Sequence, residues 1–305
     1  MAINKLEFAK VFMSALDRQM LEKATSGWME TNAGQVIYNG GNEVKVPKIV
    51  MSGLAAYDRE EGFVRGPVTY SYQTKLLTQD RGRTFQLDAM DVDETNFGTA
   101  AGNVLGEFQR TKVIPEVDAY RYSVIADTAI TANRYTEYTP KVSDIVDKLM
   151  EDITNIKDTV GNESEIIVTI STPVASILSR AQQMPKWIDV TNFSQGGVNM
   201  QVKTFDNCPI INVPSSRMKT KYKFFDGISD GEEDGGFLVD DDAKNINWII
   251  TSKTAPIAVS KTDVTRIFDP MTNQKANAWK LDYRKYHDLW ILDNAIDGIW
   301  LNYEK

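Results

Sequence analysis

The sequence is poor in the residues that build most metal and nucleophilic sites. Its 305 residues include one cysteine, Cys208, and one histidine, His287, which excludes an internal disulfide and the usual Cys/His zinc sites. It also lacks the phosphate-loop, dinucleotide-binding, zincin and nucleophile-elbow motifs. We therefore predict no catalytic residue, no cofactor and no enzyme activity.

Long apolar runs and an excess of positive charge are missing as well. No stretch approaches the roughly 18 apolar residues that a membrane span needs. The first residues place Lys5, Glu7 and Lys10 in an amphipathic pattern, which is not that of a signal peptide. The formal net charge of -8 argues against a protein that grips phosphate backbones. The sequence predicts a soluble protein with no membrane partner.

What is present is a long alternating pattern in the first third of the chain. Apolar and polar residues alternate from position 68 to 76 and again from 84 to 89, the period of a strand with one apolar face. Between them, residues 79–83 are polar and include Gly82, which we expect to take a positive φ in a turn. The two arms are predicted to pair as an antiparallel hairpin. A lone hairpin is marginal in water, and no neighbouring pattern covers its apolar face.

The hydrophobic period then changes from two to about 3.6, which predicts a long amphipathic helix. Asp91 or Asn96 is the expected N-cap, and Pro115 is expected to kink or divide the helix. The predicted apolar stripe contains Phe97, Ala101, Val104 or Leu105, Phe108, Val117, Tyr120, Val124 and Thr128.

The remaining patterns predict an α+β protein. An N-terminal helix is followed by a mobile link and a strand, then by a small α/β layer and a C-terminal sheet. The predicted helices are 5–24, 145–156 and 172–181. The predicted link is 31–42, and the predicted strands are 43–50, 165–170, 202–205, 209–213, 222–225, 247–251, 278–286, 289–292 and 299–303.

One acidic segment resembles a calcium-binding loop. Asp230, Glu232, Asp234 and Asp241 stand at loop positions one, three, five and twelve, with a glycine at six. The match is imperfect, because position three is Glu, position twelve is Asp and no flanking helices are predicted. The alternative is a solvated acidic loop.

A second group of carboxylates lies where the alternating pattern meets the helical one. Asp88, Asp91, Asp93 and Glu94 could serve glycoside hydrolysis as a carboxylate pair, or they could cap the helix. Carboxylates at a strand-to-helix junction cap helices more often than they catalyse.

Three segments and the order of the parts resemble the major capsid proteins of tailed bacteriophages, the shell fold named after phage Hong Kong 97. The segments are 53–59, 79–85 and 88–96. The resemblance implies an N-terminal arm, an extended β-hairpin called the E-loop, a long spine helix, an α/β axial domain and a peripheral β-sheet domain. The corresponding boundaries are 1–51 for the arm, 52–92 for the E-loop, 93–138 for the spine helix and the start of the peripheral domain, 139–245 for the axial domain and 246–305 for the strands that complete the peripheral domain.

The same resemblance implies a structural subunit of an icosahedral capsid. Copies would assemble into hexamers and pentamers in the host cytoplasm and enclose double-stranded DNA in the virion without sequence-specific binding. Separate scaffolding, portal and decoration proteins are possible partners. Alternatives are an encapsulin-like nanocompartment and a carbohydrate-active hydrolase. Candidate subunit contacts are Arg59, Tyr70, Tyr72, Lys75, Arg81 and Arg83.

Overall fold

A computed structural model describes most of the chain and arranges it as four sheets and three α-helices within the described residues. The described residues are 24–35, 37–38, 43–60, 62–88, 104–161, 164–181, 188–195, 198–273 and 275–305. The helices are α1 (Ile114–Thr131), α2 (Ile145–Val160) and α3 (Thr172–Ser179). The strands are β1 (Ile37–Tyr38), β2 (Glu43–Met51), β3 (Val68–Leu76), β4 (Gln79–Asp88), β5 (Tyr135–Glu137), β6 (Ile166–Ser171), β7 (Ile188–Gln195), β8 (Val198–Phe205), β9 (Cys208–Val213), β10 (Tyr222–Phe224), β11 (Phe237–Val239), β12 (Ile246–Ser252), β13 (Pro256–Phe268), β14 (Ala278–Ile291) and β15 (Ile299–Tyr303).

A seven-stranded sheet with the order β5-β15-β12-β6-β9-β8-β7 forms the centre of the molecule. Every residue of β6 and β12 is buried, because helices cover both faces of the sheet. Ile166, Val168 and Ile170 pack with α2 and α3, whereas Ile167 packs with α1 on the opposite face. The predicted helix at 145–156, the buried strand at 165–170 and the helix after it are confirmed.

Strands from both sides of residue 245 share this central sheet. β6 and β9 precede that position in the chain, while β12 and β15 follow it. The domain boundaries expected from the resemblance remain a prediction.

The predicted hairpin between residues 68–76 and 84–89 is wrong in its pairing. Residues 79–83 do not turn; they begin β4, which pairs with β14 from Gln79 to Asp88. Gly82 lies opposite Arg284, and a Cβ at this position would come within 2.7 Å of the Tyr283 carbonyl oxygen. Glycine is therefore required at position 82 by the close approach of two strands and not by a turn.

A protruding hairpin does exist, but it consists of β2 and β3. These strands pair antiparallel, from Glu43 opposite Leu76 to Met51 opposite Val68. Residues 52–67, predicted to lead toward the hairpin, connect its two strands at the far end. We call β2, β3 and this connection the ribbon.

The long helix is confirmed over the residues that the structure describes, and it is not divided at Pro115. Residues 104–108 are α-helical, Gln109–Val113 form a π-helical turn, and α1 follows without a break. The wider turn precedes the proline, whose ring would clash with the carbonyl four residues earlier in a regular helix. Both predicted caps, Asp91 and Asn96, lie outside the described residues.

The buried stripe of α1 differs from the predicted one. Val124 and Tyr120 are only half-buried, whereas Asp118, Tyr122 and Ile125 are fully buried. A pattern based on hydrophobicity cannot place Asp118 in the core, which explains the rotation of the predicted stripe.

Three further expectations change. The first part of the predicted mobile link belongs to a 3₁₀ helix, Gly27–Gln35, in which Trp28 and Met29 are buried against α1 and the central sheet. β13 was not predicted. β14 is one continuous strand, so the break predicted between residues 286 and 289 is absent and His287 lies within the strand. The predicted helix 5–24 falls almost wholly outside the described residues, and none of the described helices is long and apolar enough to span a membrane.

Candidate intersubunit contact surface

The ribbon has two faces because side chains alternate along each strand and paired residues point to the same side. The inner face carries Val44 and Val46, which are 0% and 1% exposed. They pack with Ile257, Val259 and Trp290 of the body. This contact fixes the base of the ribbon.

Polar contacts hold the ribbon a little farther along the same face. The Lys48 ammonium donates to an Asp293 carboxylate oxygen at 2.8 Å, and the Gln73 amide donates to the same oxygen at 2.5 Å. The hydrogen bond from Lys48 and its positive charge lower the pKa of Asp293. The ion pair is exposed and contributes little energy, so its role is to set the direction in which the ribbon leaves the body.

The outer face presents apolar side chains to water. Ile49 opposes Tyr70 and Met51 opposes Val68 in the strand pairing, so these residues form one surface with Tyr72. Tyr70 and Tyr72 are 56% and 49% exposed, and their rings meet edge to face with centroids 5.3 Å apart. We define the outer face as Ile49, Met51, Val68, Tyr70, Tyr72 and Leu76.

The tip of the ribbon, residues 52–67, carries exposed apolar side chains as well, beside five charged residues. A short turn is closed by backbone hydrogen bonds between Asp58 and Gly62, and Gly62 adopts a φ of 83° that favours glycine. The rings of Tyr57 and Phe63 contact each other at 4.9 Å across this turn. Phe63 is 87% exposed, so the pair shapes the tip without burying it.

Most exposed large apolar side chains of the described residues belong to the ribbon. Eleven of the seventeen lie between residues 49 and 76. Scattered apolar residues are normal on a protein surface, but a concentrated patch marks a contact with another molecule. The ribbon is therefore the candidate contact surface.

The structure divides the six predicted contact residues into two groups. Tyr70 and Tyr72 lie on the outer face, Arg59 lies in the exposed tip, and Lys75 lies on the inner face opposite Val44. The two remaining arginines, Arg81 and Arg83, lie on β4 and not on the ribbon.

Arg81 is engaged within its own chain. Its Nε donates to Glu116 at 2.5 Å, and its other nitrogens donate to the carbonyls of Phe225 and Gly236 at 2.7 and 3.1 Å. Arg83 donates to the Glu233 carbonyl at 3.2 Å. Both arginines thus tie β4 to the segment that contains β10 and β11.

The four residues of the imperfect calcium loop occupy this same segment. Asp230, Asp234 and Asp241 are exposed, while Glu232 pairs with Lys223 at 2.7 Å. Lys223 lowers the pKa of Glu232 by hydrogen bonding. Among the described residues no group of three or more His, Cys, Asp or Glu side chains is arranged to hold a metal ion.

Most carboxylates of the hydrolase hypothesis lie outside the described residues. Asp88 is exposed at the end of β4, and Asp91, Asp93 and Glu94 lie outside the described residues. Cys208 is buried, as expected for a small apolar residue, and burial raises the pKa of its thiol.

A buried polar cluster on α1 was not predicted. The Asp118 carboxylate is 0% exposed and accepts hydrogen bonds from the backbone and hydroxyl groups of Thr25 and Ser26 at 2.5–3.2 Å. Arg217 donates to it at 3.0 Å. Arg121, 1% exposed, donates to the Ser26 carbonyl at 3.2 Å and to Glu30 at 2.5 Å. We call these residues the α1 cluster.

The α1 cluster fastens the segment from Thr25 to Glu30 to the long helix. The sequence signal for it is a pair of charged residues three positions apart, Asp118 and Arg121, inside an apolar stretch of helix. Buried charges of this kind are rare unless they are paired, as they are here.

Solved structures of phage capsids share this fold. A chain in the capsid structure of the Cyanophage P-SCSP1u matches 88% of this chain and 85% of its own length, with a TM-score of 0.55 and 11% identity. A chain of Gordonia phage Cozz matches 88% of this chain and 83% of its own, with a TM-score of 0.55 and 15% identity. The asymmetric unit of the bacteriophage PhiM1 mature capsid contains a chain that matches 88% of this one and 84% of its own, with a TM-score of 0.52 and 13% identity.

No protein-family model and no curated protein matches the sequence. At 11 to 15% identity, the likeness to solved structures shows the fold and nothing finer. The chain has the mixed helix and sheet fold of phage capsid proteins, and the predicted fold class is confirmed.

Proposed function

We propose that the chain is a shell subunit of a phage capsid and that the ribbon is a contact arm which lies on another copy. The observation that carries this proposal is the outer face, whose six apolar side chains stay in water in a single subunit. Burying them on a neighbour contributes on the order of 5 kcal/mol per ribbon before the cost of association.

The way the ribbon is attached supports this role. Its inner face is fixed by Val44, Val46 and the Asp293 contacts, so the outer face is held ready without further ordering of the backbone. Pre-organised contact surfaces lose less entropy on binding than mobile ones. The shared fold with phage capsid chains supports the same proposal.

The finer elements of the proposal follow the resemblance. Copies assemble into hexamers and pentamers in the host cytoplasm, the shell encloses double-stranded DNA in the virion, and scaffolding, portal and decoration proteins are separate chains. The predicted arm, E-loop, spine, axial and peripheral regions are part of this proposal, with the E-loop moved to the ribbon. An encapsulin-like compartment is not better supported by the known structures, and no described residue favours the hydrolase.

The test removes the aromatic pair from the outer face. Tyr70→Ser/Tyr72→Ser is compared with Thr69→Ala/Ser71→Ala, which alters the opposite face of the same strand. Negative-stain electron microscopy and sedimentation velocity measure rings and shells, and circular dichroism measures folding.

We expect wild type and the Thr69/Ser71 variant to assemble, while the tyrosine variant stays unassembled with an unchanged circular dichroism spectrum. Normal assembly of the tyrosine variant would show that the outer face is not a contact. A wild-type chain that never assembles, even beside coexpressed phage proteins, would refute the shell proposal.

A further inference from the structure

The chain passes from the ribbon into the body through a joint of two residues, Leu77 and Thr78. They follow β3, which lies in the sheet of β1 and β2, and precede β4, which lies in the sheet of β13 and β14. Because β3 and β4 lie in different sheets, the hydrogen bonds between strands leave the angle between them open. The backbone torsions of a joint this short can act as a hinge.

Side chains of β14 hold the backbone of the joint. The Asp288 carboxylate accepts a hydrogen bond from the backbone N–H of Thr78 at 2.8 Å. Two positions away, on the same side of the strand, the Tyr286 hydroxyl donates to the Leu77 carbonyl at 3.1 Å. The Leu77 side chain is buried with the inner face of the ribbon. Apolar packing therefore places the joint, while hydrogen bonds to side chains set its orientation.

The Asp288 carboxylate also reaches the long helix. Its Oδ2 accepts a further hydrogen bond from the Thr78 hydroxyl at 2.9 Å, and its Oδ1 accepts one from the Tyr120 hydroxyl at 2.7 Å. Burial raises the pKa of Tyr120, so its hydroxyl remains a donor at neutral pH. One carboxylate thus connects the joint, β14 and α1. We call Thr78, Tyr120 and Asp288 the clamp.

The end of the clamp on α1 is rigid. The Tyr120 ring meets the rings of Phe224 and His287 edge to face, with centroids 5.7 and 5.6 Å apart. Packing on two sides fixes the place of the Tyr120 hydroxyl, and with it one end of the clamp.

Asp288 is an uncommon residue for such a buried position. It is 3% exposed, and its described hydrogen-bond partners are neutral groups of Thr78, Tyr120 and the backbone of Leu289. Burying a carboxylate among neutral groups costs energy even when its oxygens are satisfied. The hydrogen bonds to it are directional, so they fix the joint in a way that apolar packing would not.

A loose joint would have its largest effect at the far end of the ribbon. β3 has nine residues and spans about 30 Å, so a tilt of about 10° at the joint moves that end by about 5 Å. We propose that Asp288 is the positioning residue of the ribbon, which fastens the joint to α1 and fixes the angle at which the ribbon leaves the body. This inference rests on the proposed function of the ribbon as a contact arm and names the group that aims it. The Asp293 contacts support the same direction farther along the ribbon.

The distance between two spin labels tests the clamp directly. Val64→Cys places one label in the exposed tip, and Thr154→Cys places the other on the exposed face of α2. The native Cys208 is buried and stays unlabelled. Pulsed electron paramagnetic resonance measures the distribution of distances in the Tyr70→Ser/Tyr72→Ser chain. Dilution with unlabelled chain ensures that only distances within one chain are counted.

Thr78→Val/Tyr120→Phe removes both hydroxyl groups of the clamp and nearly preserves the size of the side chains. Tyr122→Phe is the matched control, because it removes a hydroxyl of the same helix that donates to Thr25 at 3.0 Å, toward the α1 cluster and not toward the joint. We expect the double variant to broaden the distance distribution about twofold or more, since the carboxylate loses two of its donors. The control should leave the distribution unchanged.

Assembly provides the second measurement. With the outer face intact, Thr78→Val/Tyr120→Phe should raise the concentration for half-assembly about tenfold, because a mobile arm loses entropy when it is ordered in a contact. Tyr122→Phe should assemble as wild type does. If the double variant fails to fold, Tyr120→Phe alone carries the same comparison, because Asp288 then keeps both bonds from Thr78.

An unchanged distance distribution in the clamp variant, even with a lower thermal stability, would show that Asp288 only stabilises the fold and would overturn the inference. Equal broadening by Tyr122→Phe would overturn it as well, and so would broadening that leaves assembly unaffected. Normal shells with an unchanged distribution would contradict the clamp and leave the proposed function standing. A broadened distribution in a chain whose wild type never assembles would contradict the proposed function and leave the clamp standing.

Discussion

The outer face of the ribbon and the α1 cluster depart from the usual distribution of side chains in opposite directions. On the ribbon, Tyr70 and Tyr72 are apolar groups left in water, while in the cluster Asp118 and Arg121 are charges placed in the core. Every charge of the cluster has a partner in its own chain. The outer face has no such complement among the described residues, so one region is complete in a single copy and the other is not.

This contrast separates folding from assembly. The cluster links the segment before the ribbon to the helix behind it, which makes it part of the folded subunit. The ribbon contacts the body of its own subunit through its inner face. Variants that affect folding without assembly, or assembly without folding, therefore measure how far the two processes are separate. Subunit stability is measured in the Tyr70→Ser/Tyr72→Ser chain, because that chain is expected to stay unassembled.

The largest effect is expected in the α1 cluster. Asp118→Asn keeps the shape of the side chain but leaves Arg217 without its charge partner and puts an amide donor among donors. Breaking a buried charged pair costs about 3–5 kcal/mol. Urea unfolding should show this loss, and Asp147→Asn on the exposed face of α2 is the control. A loss of unfolding free energy below about 0.5 kcal/mol, the level of ordinary surface substitutions, would mean that the charge of Asp118 does not stabilise the folded subunit.

A smaller effect distinguishes the two faces of one strand. Val44→Ala removes a fully buried side chain of the inner face and should cost about 2 kcal/mol of subunit stability. Ile49→Ala on the outer face should change stability by less than about 0.5 kcal/mol and instead weaken assembly. If both variants lowered stability equally, the outer face would have to pack against its own subunit.

The smallest effect is a pH dependence at the buried His287. Burial, together with the positive charges of Arg121, Lys285 and Arg81, places the pKa of His287 well below its usual 6.5 in the folded chain. The unfolded chain takes up a proton near pH 6.5 and the folded chain does not, so stability must fall as the pH drops through this value.

The expected loss is about 1 kcal/mol between pH 6.5 and 5.5. It is measured as the difference between the parent chain and His287→Phe, because the raised pKa of Asp152 gives a slope of opposite sign in both chains. Identical pH profiles of the two chains would show that His287 takes up its proton at the same pH in the folded chain as in the unfolded chain.

Local hydrophobic patterns were sufficient to predict an element that packs through one long apolar stripe, and an element that is buried on both faces. Ile145, Leu149, Ile153 and Ile156 repeat at helical spacing and are buried in α2, and the apolar run of β6 is buried along its whole length. The outer face was also visible in the sequence, because Tyr70 and Tyr72 alternate with polar residues.

Local patterns failed where the chain departs from simple periodicity. β13 contains an irregularity between Ser260 and Thr262, which shifts the alternation by one residue and hides the strand. The polar stretch around Gly82 has the composition of a turn although it lies in a strand. Asp118 and Arg121 look like surface residues until their partners are seen.

The sequence by itself determined the absence of disulfides and Cys/His zinc sites, the α+β class, the long helix and an apolar strand face in need of cover. Tertiary structure alone decided that β3 pairs with β2, while β4 pairs with a strand that begins at Ala278. The physical reason is that backbone hydrogen bonds between strands are nearly independent of side-chain identity, so a strand carries little record of a partner some two hundred residues away. The same independence leaves the ribbon able to protrude, with its inner face held by the body and its outer face open to another copy.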